Sequence, residues 1–102
     1  MRIAKVVGQV TLSRHHESLV GGSFKLAEPQ SLDNLVGSSD QAADILVVYD
    51  EFGAATGNLI MLTEGSEAAQ PFRPEIKPVD AYNAGILDTV DIRLEHVAHY
   101  HP

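Results

Sequence analysis

Asp50-Glu51-Phe52-Gly53-Ala54-Ala55-Thr56-Gly57-Asn58-Leu59-Ile60-Met61-Leu62 is the stretch whose reading decides the fold. It joins two apolar runs through a loop of glycine and small residues. Upstream, Ile45-Leu46-Val47-Val48-Tyr49 is unbroken and short enough for a strand buried on both faces. Downstream, Leu59-Ile60-Met61-Leu62-Thr63 is a second such run. Gly53 and Gly57 bracket Ala54, Ala55 and Thr56, and glycine permits positive φ and the close approach of another backbone. A short connection between strands normally carries a polar turn such as Asn-Gly. This one is small and apolar, which predicts that its tip is covered, the simplest cover being another copy of the chain. A phosphate cradle is excluded, because no Lys-Ser/Thr follows and the next element is a strand, not a helix.

Outward from that centre, three more strands are predicted. Ile3 to Leu12 has a two-residue period, with Ala4, Val6, Val10 and Leu12 on one face and Lys5, Gln9 and Thr11 on the other. Gly8 interrupts the inward face and marks a bulge of the kind small barrels need to close. Ser13 to Gly22 is a polar connection. In the second strand Phe24 and Leu26 alternate with Ser23, Lys25 and Ala27, and Pro29 stops it. Pro29 to Ala43 is a surface excursion. Gly65 to Gln70 reads as one helical turn with Ser66 at its N-cap, ended by Pro71, and Asp80 to Gly85 as another, with Asp80 as cap and Gly85 as terminator. The last strand runs from Ile86 to Glu95, with Ile86, Val90, Ile92 and Leu94 inward. Asp88 falls on that apolar face, where burial demands hydrogen-bond donors around it. The whole is all-β: a five-stranded, OB-like small barrel with one or two helical turns, a single domain over residues 1–102 whose residues 96–102 form a flexible tail.

Composition narrows the function. The chain has 102 residues, 44% apolar and 21% charged, enough for one modest core. Fourteen acidic residues against seven basic give a net charge of −7, which argues against nucleic acid and against an anionic membrane surface. No cysteine is present, so thiolate chemistry and disulfides are excluded. The opening Met1 to Val7 is too short and too strand-like for a signal peptide, and no run is long enough to span a bilayer. A cytoplasmic chain is the expectation. No Gly-x-Ser-x-Gly elbow or HExxH pair occurs, and Asp50, Glu51, Asp80, Asp88 and Asp91 read as caps and surface charges, so no enzyme, cofactor or metal is expected. His99 and His101 could join His15 and His16 around a metal, but a solvated tail is the plainer reading.

Five motifs then carry a resemblance that runs nearly end to end. They are Met1 to Val10 with Gly8; His16-Glu17-Ser18-Leu19-Val20-Gly21; Asp50, Gly53, Ala54 and Gly57 followed by Leu59 to Leu62; Gly65-Ser66-x-Ala68; and Pro78-Val79-Asp80-Ala81 with Gly85-Ile86-Leu87-Asp88. In this order the chain resembles the EutN/CcmL family, the pentameric vertex proteins of carboxysome-like bacterial microcompartments. Ala55 and Ala69 depart from the family's usual glycine and arginine, and Pro29 to Ala43 and the histidine tail have no clear counterpart. The resemblance implies a homopentamer that plugs the five-fold vertices of a shell tiled by hexameric proteins. It makes Asp50, Gly53, Ala54, Ala55, Thr56, Gly57 and Asn58 the candidates for the subunit interface or central pore. Gly8, Ser18, Gly21, Ser66, Asp80, Gly85 and Asp88 are then its structural positions. The competing reading is a monomeric or dimeric OB-like module for a small ligand or peptide. It requires a basic or aromatic stripe that three Phe, three Tyr and no Trp can hardly build.

Overall fold

The period-two pattern at the start of the chain forms β1 (Arg2–Val10), which turns Ala4 and Val6 into the core. The computed structural model describes residues 1–75 and 77–97. β1 pairs antiparallel with β2 (Ser23–Pro29), and the register shifts between Val6 and Gly8, the bulge that the glycine foretold. β2 pairs antiparallel with β3 (Leu46–Asp50), and β1 also pairs antiparallel with β4 (Leu59–Glu64). β5 (Ala81–Ile86) lies antiparallel to β4 and parallel to β3, closing a barrel of order β1-β2-β3-β5-β4. The β3–β5 seam rests on a single register pair, Tyr49 with Tyr82.

Two packed layers result. Inside the barrel lie Ala4, Val6, Ala27, Val48, Ala54, Ile60, Leu62 and Ala81. Half of these are alanine, so the bore is narrow and already filled. Outside, against β3 and β5, Tyr49 packs with Phe24, Phe72 and Tyr82 at ring-centroid distances of 5.4, 5.7 and 6.5 Å. Phe72 ends a 3-10 helix, Gly65–Phe72, whose Ala68 is buried in the same cluster. Lys77 sits 5.0 Å from the Phe72 ring centroid and donates to the Ser18 carbonyl, tying this wall to the 3-10 turn Glu17–Leu19.

Several expectations are corrected. Asp80 to Gly85 is not a capped turn, because Ala81 to Ile86 is β5. Ala81 fills the bore, Tyr82 joins the outer aromatic wall and Asn83 is buried against Asp50. Pairing with β4 and the seam to β3 outweigh a weak cap-and-glycine signal. The strand predicted over Ile86 to Glu95 therefore ends where it was to begin, and Asp88 is exposed rather than buried. Ser66 lies inside the 3-10 helix, whose N-cap is Glu64, and Pro71 lies within it instead of ending it. In β2 it is Lys25 and Ala27 that are buried, because Ala27 pairs directly with the core residue Val6 of β1 and the strand alternates from there; Phe24 and Leu26 face outward. Val47 is 49% exposed, so β3 is not covered on both faces. Helical turns also occur at Glu17–Leu19, at α1 (Leu32–Leu35) and at Leu94–His96. Residues 98–102 of the tail, with His99 and His101, lie outside the described residues.

Candidate functional site

Asp50 ends β3 with its side chain 1% exposed, and that carboxylate builds the loop that follows. Oδ1 accepts from the Phe52 N–H at 2.9 Å and from Asn83 Nδ2 at 2.9 Å, while Oδ2 accepts from the Ala54 N–H at 2.8 Å. A buried carboxylate needs such donors, and the loop supplies two from its own backbone. Ala54 is pulled into the core, 2% exposed, and plugs that end of the barrel. At the far side, Asn58 Oδ1 accepts from the Ala55 N–H at 2.8 Å. The Gly57 N–H donates to the Val6 carbonyl at 2.8 Å, and the Val6 N–H donates to the Asn58 carbonyl at 2.9 Å. The loop is thus anchored at both ends and pinned to β1 at Val6. Gly53 and Gly57 have φ of 72° and 95°, the left-handed conformation that glycine adopts without a steric penalty.

This anchoring leaves a rigid exposed rim of Glu51, Phe52, Gly53, Ala55, Thr56 and Gly57, of which Phe52 is 54% exposed. Glu51 is its one ionisable group, and its Oε1 accepts from the Tyr82 hydroxyl at 3.1 Å. Burial first, and Glu51 second, push the Tyr82 phenol above its ordinary range, and the same causes raise Tyr49. The glycines, the alanine and the outward phenylalanine carry no titrating group, and the Glu51 carboxylate is engaged by the Tyr82 hydroxyl. Small apolar residues held at fixed height suit contact with another protein surface.

Of the positions singled out from the sequence, Asp50, Gly53, Ala54, Ala55, Thr56, Gly57 and Asn58 form this one unit. Ala54 faces the core and not the rim. Gly8 makes the bulge. Ser18 and Gly21 belong to the first loop, where His16 Nδ1 accepts from the Ser18 N–H at 3.1 Å and lies 2.7 Å from Ser18 Oγ. His16 is thereby a cap; among the described residues no three His, Asp or Glu groups converge as a metal site. The Asp80 carbonyl accepts from the Gly65 N–H at 2.8 Å, and the Gly85 N–H donates to Asn83 Oδ1 at 3.0 Å. Sequence reasoning missed Asn83, which lies 33 positions from its carboxylate partner. It also missed Gly22, where a Cβ would stand 2.2 Å from Tyr49 Cζ. Neither position carries a local signal.

The profile of the family described as "Ethanolamine utilisation protein EutN/carboxysome" matches residues 1–88. The chain is 36% identical over 90 residues to the bacterial microcompartment shell vertex protein EutN of Salmonella typhimurium, covering 88% of this chain and 86% of that one. It is 34% identical over 92 residues to the carboxysome shell vertex protein CcmL of Gloeobacter violaceus, covering 90% and 87%. Among solved structures, the pentameric microcompartment shell protein GrpN from Rhodospirillum rubrum superposes with a TM-score of 0.74 at 28% identity, over 91% of this chain and all of that one. From its opening strand to Asp88, this chain belongs to the EutN/CcmL family.

Proposed function

We propose that the chain is a structural subunit, without catalysis, of a bacterial microcompartment shell. Five copies form a ring that caps a five-fold vertex, with hexameric shell proteins as neighbours and the cell's cytoplasm as the setting. The observation that carries this reading is the likeness of the whole barrel to the pentameric GrpN shell protein. The physics agrees with it. A flat hexagonal sheet closes only where five-fold units interrupt it, and head-to-tail contacts close into a ring when the rotation per subunit allows. The rim from Phe52 to Gly57 is the candidate surface facing the neighbouring copy or the axis. A ligand-binding barrel is not favoured, because alanines and branched aliphatics already occupy the bore.

Native mass spectrometry tests the reading. A species near five times the 11.0 kDa chain is expected, and a monomer across micromolar concentrations would remove it. Ala55→Arg then probes the rim. Ala55 is exposed and has no positive φ, so the substitution leaves the barrel intact while placing a long charged side chain at the contact. The expected outcome is an unchanged circular dichroism spectrum with loss of the ring. A ring of full mass would place the contact elsewhere on the barrel.

A further inference from the structure

The first loop is seated by one lone pair. His16 precedes the 3-10 turn Glu17–Leu19 in extended backbone, and its imidazole takes the place that Ser, Thr, Asp or Asn holds at most helix starts. Nδ1 accepts from the Ser18 N–H at 3.1 Å and lies 2.7 Å from Ser18 Oγ. An amide N–H only donates, so Nδ1 carries no proton here and the ring proton of the neutral imidazole sits on Nε2. An oxygen cap keeps its lone pairs near neutral pH. An imidazole is the side chain whose charge changes between about pH 5 and 8.

This turn covers part of the outer wall. Leu19 packs against the cluster of Tyr49, Ala68 and Tyr82, and the Tyr49 hydroxyl points to the Leu19 carbonyl at 3.5 Å. Lys77 donates to the Ser18 carbonyl from 59 positions away. The Leu19 and Val20 N–H groups donate to the His16 and Glu17 carbonyls at 3.0 and 3.2 Å, so the turn winds directly on its capping residue. The groups around the imidazole do little to hold an added proton. Arg14 and His15 precede it and Glu17 follows it, while Lys77 brings a second cation to Ser18. Among the described residues no carboxylate forms an ion pair with His16. The side chain is exposed, so solvent protons reach it freely.

We propose that His16 makes the first loop a latch on the outer aromatic wall, closed at neutral pH and released when a proton binds Nδ1. In the protonated ring, Nδ1–H donates to Ser18 Oγ, whose own proton turns away. The Ser18 N–H then faces another donor and loses its acceptor. Seating of the turn and binding of the proton compete for the same lone pair. The seated turn is therefore favoured at neutral and alkaline pH and weakened on acidification. Because the Ser18 carbonyl holds Lys77, the segment that carries Lys77 loosens with the turn. The device lies within one subunit and stands whether or not the ring forms.

Amide exchange at about pH 7.5 and about pH 5.5, corrected for the intrinsic pH dependence of exchange, tests the latch. Acidification is expected to lower protection of the Ser18, Leu19 and Val20 amides about five-fold, the typical worth of a helix cap, with Val79 following and the β1 amides unchanged. His16→Asn, which caps without titrating, should hold the same protection at both pH values. His16→Ala should be loose at both, and His15→Asn should respond as the parent chain does. Equal protection at the two pH values in the parent chain, or a response that survives in His16→Asn, overturns the proposal. A second measurement needs no variant: the ring-nitrogen resonances of neutral His16 should show the Nε2–H tautomer, and an Nδ1–H tautomer would overturn the acceptor role.

Discussion

Asp50 illustrates how much of a loop one side chain can hold. Its three donors come from two loop amides and from Asn83, and removing the acceptor leaves two of them, the Ala54 N–H and the Asn83 amide, buried without this partner. Asp50→Ala should therefore cost roughly 2–4 kcal/mol of stability, read as a lower urea midpoint, because each orphaned donor costs about 1–3 kcal/mol. Gly57 behaves differently. A Cβ there meets nothing within the subunit, but φ is 95°, so Gly57→Ala carries a backbone penalty of about 1 kcal/mol wherever the loop docks. Gly57→Arg would mix that penalty with any effect on assembly, whereas Ala55 reports on contact alone. The glycines and the aspartate of this loop were legible in the sequence because a turn advertises itself locally. Asn83 and Gly22 were not, since a hydrogen bond across 33 residues and a ring packed on a backbone leave no trace in neighbouring letters.

Among the elements, the strands flanking the loop were the most legible, since short apolar runs bounded by turn residues fix β3 and β4. β5 lies almost wholly upstream of its predicted place and shares only Ile86 with it, because periodicity continued past Ile86 where pairing did not. An alternating pattern states which side of a segment wants cover; it cannot state whether that cover comes from the same chain. The excursion after β2 was read only as surface. In the structure Ser31 and Asn34 form a reciprocal capping box at α1, and Asn34 Nδ2 donates to the carbonyls of Ser39 and Gln41 at 3.1 and 2.9 Å. Asn34→Ala should release residues 31–41 at a cost of about 1 kcal/mol, seen as faster amide exchange at Ser38 and Ser39 while the β1 amides keep their protection. Exchange unchanged at those serines would mean that the box contributes nothing.

For the molecule as a whole, pH response separates the barrel's two sides. Tyr49 and Tyr82 have phenols raised chiefly by burial, so the folded state keeps their protons after the unfolded chain has begun to lose them. That contribution is complete below the unfolded phenol value of about 10 and is lost as pH rises through the folded one. Stability should fall on the alkaline side, and Tyr82→Phe should flatten that fall; an unaltered profile would discount Tyr82. Glu64 works in the opposite sense. The Arg2 guanidinium, bonded to it at 2.7 and 2.9 Å, lowers its carboxyl, so this support is present at neutral pH and lost on acidification. The pair is exposed, and its share is under about 1 kcal/mol. The two layers also differ in how they resist a pull. A barrel is a hoop, and β3 meets β5 through one backbone pair, so that seam is its clasp. Tension around the circumference concentrates at the clasp, and the rings of Tyr49, Phe72 and Tyr82 bridge it from outside as rivets. The hoop should open there first, and its toughness under load is set by three aromatic side chains more than by the hydrogen bonds of the sheet.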